Sequence, residues 1–161
     1  MSARIQLQNL TECPLDTGRL QLAAQAALEL SGDRSRGALS VIMADSETVR
    51  AYNRQHRKLD AATDVLSFAA PPLPDAIDSA VPYLGDIVIA CDYVAAQCDA
   101  RGCRLGDALC LLVIHGALHL LGHDHDSAAS HERMWALQAA ALQTLGISPA
   151  LVDEYAAMNN G

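Results

Sequence analysis

One segment of the chain is too apolar to lie on a protein surface, and it constrains the whole architecture. Residues 105–121 have the length of a helix, and the run 108–114 within them is apolar on every side. A helix that is apolar all round is buried at the centre of a domain. The run is also far shorter than the roughly twenty residues that cross a membrane. The sequence therefore predicts a globular domain built around one central helix, with no membrane span.

The rest of the chain alternates between strand and helix patterns, in the order β-α-β-α-β-β-α-α-α. The expected strands cover residues 5–10, 38–43, 65–68 and 84–90, and the expected helices cover 16–30, 45–56, 92–101, 105–121 and 127–145. A chain of 161 residues, of which 51% are hydrophobic, is long enough for one core and too short for two. We predict a single α+β domain over residues 1–161, in which a mixed four-stranded sheet packs with about five helices around the central apolar helix.

Charge and cysteine usage restrict the classes of function. Eleven Lys and Arg face nineteen Asp and Glu, which gives a formal net charge of −8 and excludes a protein that coats nucleic acid through overall positive charge. The five cysteines are an odd number and include no CxxC pair, so we expect them to be reduced and mostly buried. Residues 1–10 do not resemble a signal peptide. We therefore expect a cytoplasmic protein.

Five of the six histidines fall within residues 115–131. His115 and His119 are one helical turn apart, so their imidazoles project from the same face. Gly122 can take the left-handed conformation that ends a helix, and the reversal of the chain would bring His125 to the same point. Three neutral imidazoles and a water complete a tetrahedral zinc ion with one open position. The pattern predicts a metal centre of His115, His119 and His125 that binds one zinc ion per chain.

The other histidines of this segment have less specific positions. His123 is an alternative fourth ligand, although its place beside the turn fits a residue that faces solvent or substrate better. His131, four residues into the final helix, fits a surface group or a partner of a ligand. The plain alternative for the whole segment is a helix whose end carries incidental histidines.

The spacing HxxxHxxGxxH is also that of the metzincin proteases, with one difference. Those enzymes carry a glutamate directly after the first histidine, where it takes the proton from the metal-bound water. Here that position is Gly116, which cannot act as a base. Peptide hydrolysis by that mechanism is therefore disfavoured, whereas a metal could still activate water or act as a Lewis acid on a phosphodiester.

A short basic segment precedes the third predicted strand. Arg50, Arg54 and Arg57 follow each other at helical spacing and form one stripe. Arginine suits bidentate contacts with phosphate, so the stripe fits a phosphate-binding surface and a solvated helix face equally well. Asp60 and Asp64 follow, either as partners that orient the arginines or as residues of a turn and a strand start.

Three motifs in register resemble one family. The segment HGALHLLGHDH at residues 115–125 resembles the HGxLHLxGxDH signature of the YbeY-type single-strand-specific endoribonucleases, the bacterial rRNA maturation factors. Residues 53–68 resemble the second motif of that family and residues 84–89 a third. The order, spacing and overall length match as well, so the resemblance spans nearly the whole chain. Asp86, within the third motif, fits an acid that points into the site or a structural residue.

The resemblance implies a zinc-dependent endoribonuclease that acts on single-stranded RNA in 16S rRNA 3′-end maturation and in late ribosome quality control. The zinc ligands would be His115, His119 and His125, and the arginine implicated in RNA cleavage falls on Arg57. The implied partners are rRNA, the small ribosomal subunit and its assembly factors, with no membrane and no nucleotide cofactor. The implied fold is an α+β sandwich with a mixed four-stranded sheet, in agreement with the order of the predicted elements.

The chain departs from this family at four positions. The family usually has Tyr in place of His56, Gly in place of Lys58 and Pro in place of Ala62, and His123 replaces a frequent Tyr. These changes concern the shape of the RNA-binding loop and touch neither a predicted ligand nor Arg57.

Two other functions remain open at this stage. One is a zinc hydrolase of another substrate, against which Gly116 argues. The other is a ribosome-assembly factor with a zinc site and little catalysis, which the acidic net charge leaves plausible. A three-histidine site with an open position argues against purely structural zinc, because structural sites are usually closed and rich in cysteine.

Overall fold

The elements of the computed structural model follow the order that the sequence predicts, with one helix added at the end. The structure describes residues 4–31, 37–71, 81–124 and 126–159. The elements are β1 (Arg4–Asn9), α1 (Thr17–Leu30), β2 (Ala38–Ala44), α2 (Ser46–Arg57), β3 (Val65–Ala69), β4 (Tyr83–Ala90), α3 (Cys91–Arg101), α4 (Leu105–Leu120), α5 (Ala128–Thr144) and α6 (Leu151–Asn159). The prediction of a single α+β domain is confirmed.

The four strands form one mixed sheet in the order β1-β2-β4-β3. Strands β1, β2 and β4 are parallel, and β3 pairs with β4 in the antiparallel direction at one edge. Parallel neighbours need a crossover connection, which α1 supplies between β1 and β2. Because β3 is antiparallel to β4, the start of β3 lies beside the end of β4. There the Ala90 N–H donates to the backbone carbonyl of Asp64 at 2.8 Å.

The helices cover the two faces of the sheet unequally. Helices α1 and α4 pack against the face that carries Val41, Ile87 and Ile89, and this face holds the main core. A smaller cluster on the opposite face joins Val49 of α2 to Leu66 and Val88. Helix α4 is the most deeply buried element: between residues 108 and 120, His115 and His119 are the two positions that are not fully buried.

Three predicted helix starts have the side-chain caps that favour them. The carboxylates of Asp16 and Asp45 accept hydrogen bonds from backbone N–H groups three residues later, and the Ser127 hydroxyl does the same at the start of α5. The Thr48 N–H donates to Asp45 at 2.7 Å, and this backbone hydrogen bond holds the pKa of the Asp45 carboxyl below its usual value. The polar residues at these positions therefore define where the helices begin.

The added helix, α6, explains why the predicted number of helices is one too low. It has nine residues, and it contributes Leu151, Val152 and Tyr155 to the core against α4 and α5. Three buried residues within one short helix leave only a weak periodic pattern in the sequence. Among the helices of the described residues, none is long and apolar enough to cross a membrane.

The end of α4 has the geometry that Gly122 predicts. Gly122 has φ +95°, which places it in the region that favours glycine. The Gly122 N–H donates to the His119 carbonyl and the His123 N–H donates to the Leu118 carbonyl, both at 3.0 Å. This pair of bonds is the Schellman motif, which ends a helix and reverses the direction of the chain.

Helix α4 approaches the sheet closely at Gly116. A Cβ atom at this position would lie 2.8 Å from Cγ2 and 3.0 Å from Cγ1 of Ile87, which is fully buried in β4. The carbonyl of Gly116 also accepts a hydrogen bond from the Ser67 hydroxyl at 3.4 Å. A glutamate at the metzincin position would therefore collide with the sheet, so packing as well as chemistry excludes it here.

This contact gives a prediction for stability. We expect Gly116→Ala to lower the free energy of unfolding by about 1–2 kcal/mol, because overpacking outweighs the roughly 1 kcal/mol that alanine gains over glycine in a helix. In an Ile87→Ala background the same change has room, and we expect it to be neutral or stabilising. Urea denaturation of the four proteins of this double-mutant cycle measures the coupling.

Gly106→Ala is the matched control in the same helix, because the nearest atom to its Cβ is Nη1 of Arg19, at 3.5 Å. Equal effects of Gly106→Ala and Gly116→Ala would contradict the proposed contact with Ile87.

The cysteines correct one expectation from the sequence. Disulfides join Cys13 to Cys91 and Cys98 to Cys103, so the expectation of reduced cysteines is wrong for four of the five. The fifth, Cys110, is a free thiol within α4. Burial raises the pKa of the Cys110 thiol to about 11, so it is protonated and unreactive in the folded protein.

Thiol counting tests this arrangement. We expect Ellman's reagent to find no rapidly reacting thiol in the native protein, one in the protein denatured without reductant, and five after reduction. Five thiols in the denatured, unreduced protein would show that the disulfides do not form.

Candidate functional site

Two of the three predicted ligands meet at one point. The Nε2 atoms of His115 and His119 lie 3.0 Å apart, and the rings are tilted by 76° with centroids 4.6 Å apart. Both side chains are half-buried on a helix whose other neighbouring positions are fully buried. Two ring nitrogens at this distance share one proton or one cation between them. The two histidines are therefore close enough to share one ion, as their helical spacing predicts.

The third predicted ligand, His125, lies outside the described residues. Within the described ranges, no group of three or more His, Cys, Asp or Glu side chains is close enough to hold a metal ion. The Schellman motif reverses the chain three residues before His125, as the prediction requires. The three-ligand centre therefore stays a prediction.

A buried amide fixes the orientation of the first histidine. The Nδ1–H of His115 donates to Oε1 of Gln138 at 2.9 Å, and Gln138 is 2% exposed. With the proton held on Nδ1, the lone pair lies on Nε2, which is the nitrogen that faces His119. Metal-binding histidines in proteins are usually held in this way by a second hydrogen bond.

Sequence reasoning missed Gln138, although a signal was present. Helix α5 buries Met134, Gln138, Ala141 and Leu142 on one face. A glutamine in the middle of an apolar stripe has to find a hydrogen-bond partner, because an unpaired buried amide is costly. The interruption of the stripe thus marks a polar contact inside the core, and that contact is His115.

A cleft of about 400 Å³ opens beside His115. It lies among β3, α4, α5 and α6, and its lining includes Asp64, His115, His131, Trp135, Gln138 and Tyr155. Asp64 accepts a hydrogen bond from the Val65 N–H at 2.7 Å and one from the Tyr155 hydroxyl at 2.9 Å. Of the two readings of Asp64, the structure supports the strand start. The sequence analysis did not identify Tyr155, because it did not predict α6.

One wall of the cleft is aromatic. The exposed ring of His131 stacks on Trp135, with centroids 3.9 Å apart and an angle of 21° between the planes. His131 is thus a surface residue next to the histidine pair, in line with its sequence interpretation.

The arginines of α2 have separate surroundings. Nε of Arg50 donates to Oδ1 of Asp60 at 2.7 Å, and this contact lowers the pKa of the Asp60 carboxyl. Asp60 therefore orients one arginine, as one of the two interpretations predicts. Arg57 is exposed at the last position of α2, and within the described residues it has no hydrogen bond or ion pair.

The loop after Arg57 explains one departure from the family pattern. Lys58 has φ +58°, a left-handed conformation that glycine adopts at lower cost, and its N–H donates to the Asn53 carbonyl. The side chain of Asn53 is 3% exposed and donates to the Ala61 carbonyl at 3.0 Å. The loop is thus closed on both sides by Asn53, and the glycine of the family corresponds to the left-handed position.

Arg57 and the histidine pair are attached to different faces of the sheet. Helix α2 packs through Val49 on the face of Leu66 and Val88, whereas α4 packs on the opposite face against Ile87. Strand β3 is the edge strand, and it lies next to both helices. The structure brings the two histidines together and shows no contact between them and Arg57 among the described residues.

Two further sequence candidates lie elsewhere. Nε2 of His123 is 3.5 Å from the Ser31 hydroxyl, and partial burial lowers the pKa of this histidine. Asp86 accepts a hydrogen bond from the Tyr83 hydroxyl on the face of the sheet opposite to α4. Asp86 is therefore not part of the histidine site.

Comparison with known proteins identifies the family. The sequence profile described as Endoribonuclease YbeY matches residues 6–146. The chain belongs to this family. An endoribonuclease YbeY from Rhodopseudomonas palustris is 35% identical over 150 residues, which cover 89% of this chain and 76% of that protein. Another, from Paramagnetospirillum magneticum, is 39% identical over 132 residues, or 81% of this chain and 79% of the relative.

One solved structure has the same fold as this chain. The solution structure of a Thermotoga maritima protein has a TM-score of 0.56 to this chain at 20% sequence identity, and the match covers 87% of this chain and 90% of the other. At this identity the likeness concerns the fold alone. The activity on RNA is supported instead by the relatives that carry the name endoribonuclease.

Proposed function

We propose that this chain is a zinc-dependent endoribonuclease that cleaves single-stranded RNA. We expect it to act in the cytoplasm, in 16S rRNA 3′-end maturation and late ribosome quality control. Its expected partners are the small ribosomal subunit and the assembly factors of that subunit. Membership of the endoribonuclease YbeY family supports RNA as the substrate. The observation that carries the metal is the 3.0 Å approach of the two Nε2 atoms of His115 and His119.

The residues present fit a zinc ion. His115 and His119 offer neutral imidazole nitrogens, Gln138 holds His115 in the tautomer that leaves Nε2 free to bind, and His125 would complete the set. When bound by three histidines, zinc supplies a Lewis acid that polarises a phosphate oxygen or activates water. His115 is half-buried and lines the cleft, so solvent reaches this histidine from the cleft.

Arg57 is proposed to bind the phosphate group under attack. Its guanidinium is exposed and has no carboxylate partner among the described residues, in contrast to Arg50. A planar guanidinium contacts two phosphate oxygens at once and stabilises the charge that develops during cleavage. Both α2 and α4 contact the edge strand β3, so a phosphate that contacts Arg57 and the histidine pair together has to lie beside this strand.

Packing disfavours the alternative function of a zinc hydrolase that acts on peptides. A peptidase of the metzincin type needs a glutamate at position 116, where a side chain would meet Ile87. The assembly-factor alternative differs from the proposal only in the absence of cleavage, and the next experiment separates the two.

Cleavage and metal content together test the proposal. We expect the wild type to cleave a labelled single-stranded rRNA fragment, His119→Ala to lose both metal and cleavage, and Arg57→Ala to keep its metal but to lose at least tenfold in rate, since one charge-stabilising contact is typically worth 10²–10³. Arg101→Ala, which removes an exposed arginine at the last position of α3, is the matched control and should retain both.

Equal cleavage by all four proteins would identify a contaminating nuclease and favour the assembly factor. Metal retained at wild-type level in His119→Ala would contradict the proposed centre.

The amide of Gln138 gives a second, independent prediction. We expect Gln138→Met, which keeps the volume but removes the acceptor, to weaken zinc binding by about 10- to 100-fold, the usual effect of removing the partner of a metal-binding histidine. Gln138→Glu keeps an acceptor and should bind zinc at least as well as the wild type. Competition with a coloured chelator measures both affinities, and equal affinity of Gln138→Met and wild type would show that the hydrogen bond does not support the metal.

A further inference from the structure

The cleft beside His115 carries groups that neither the proposed ligands nor Arg57 use. Its volume of about 400 Å³ lies in the range of sites for small molecules. His115 belongs both to the wall of the cleft and to the histidine pair. A group bound in the cleft would therefore lie directly beside the proposed metal centre.

The first of these groups is the stacked pair His131 and Trp135. Their nearly parallel rings form one side of the cleft, and His131 is exposed. Flat aromatic surfaces of this kind are the usual platforms for unpaired bases, because every base has a π face. A folded RNA duplex cannot present a base to such a surface.

The second group is the amide of Gln138. Its Oε1 is occupied by His115, whereas its Nε2 is buried and has no hydrogen-bond partner within the described part of the chain. A buried donor without a partner is costly, and such groups often mark the place of a bound polar molecule. Gln138 lines the cleft, so a molecule bound there can supply the missing acceptor.

The third group, Asp64, distinguishes a base from a phosphate. Its carboxylate lies in the lining of the cleft, where it would repel a phosphate. It already accepts from the Val65 N–H and the Tyr155 hydroxyl, and since a carboxylate has about four acceptor positions, an amino or imino group can be a further donor. A donor from Gln138 and an acceptor from Asp64 match the edge of a nucleobase, which offers both kinds of group.

We propose that this cleft binds one unpaired nucleobase of the RNA substrate, stacked on the His131–Trp135 pair and hydrogen-bonded to Gln138 and Asp64. The inference rests on the proposed endoribonuclease function and extends it, because it assigns the recognition of single strands to a pocket next to the metal centre. The phosphate of the bound nucleotide would then lie outside the cleft, away from the Asp64 carboxylate.

Fluorescence of the single tryptophan gives a direct test. Trp135 is the only tryptophan of the chain, so its emission reports on the cleft. We expect a single-stranded 2′-O-methyl phosphorothioate 12-mer, which resists cleavage, to quench this emission in a saturable manner with the full-length protein as purified. The duplex of the same sequence should not quench it.

Variants then locate the binding. By anisotropy of the fluorescein-labelled 12-mer, we expect His131→Ala to weaken binding about 5- to 100-fold, the effect of losing one base–aromatic contact. Gln143→Ala, which shortens an exposed side chain of the same helix outside the cleft, should bind like the wild type. Circular dichroism melting of both variants checks that the fold is unchanged.

The outcomes separate this inference from the proposed function. Binding that depends on His131 in a protein that does not cleave RNA would support the pocket and contradict the nuclease. Cleavage by a protein in which His131→Ala and Gln143→Ala bind equally, or in which the duplex quenches like the single strand, would overturn the pocket and leave the nuclease.

Discussion

The close contact of α4 with β4 at Gly116 sets the position of both histidines of the candidate site. Because a hydrogen atom replaces the side chain at this position, the helix axis lies close to the sheet and Ile87 fills the space. His115, the preceding residue, is then turned away from the sheet toward α5, where Gln138 meets it. His119 follows one turn later on the same side. A larger residue at position 116 would move the helix and both histidines together.

The features that could be predicted from the sequence are those that depend on residues close together in the chain. The strands, the caps at Asp45 and Ser127, and the end of α4 at Gly122 depend on residues that are neighbours in the chain, and these predictions are confirmed. The same holds for the meeting of His115 and His119, which helical spacing alone ensures. Patterns of this kind can be read without knowing the tertiary structure.

What the sequence did not reveal depends on contacts between distant segments. The hydrogen bond between Gln138 and His115 joins α5 to α4, and the contact of Tyr155 with Asp64 joins residues 91 positions apart. Helix α6 itself has only three core residues, so its pattern is too short to recognise. The disulfides likewise follow from tertiary proximity, since Cys13 and Cys91 are 78 positions apart. The third ligand, His125, stays a prediction from the motif.

Helix α6 lies beyond the segment that the family profile matches, which ends at residue 146. Even so, Tyr155 on this helix touches Asp64 and Gln97, and it forms part of the cleft beside His115. Part of the wall of the cleft thus lies outside the segment that the family profile describes, whereas both histidines lie within it. Relatives that share every residue of the histidine motif can therefore differ in the shape of the cleft beside it.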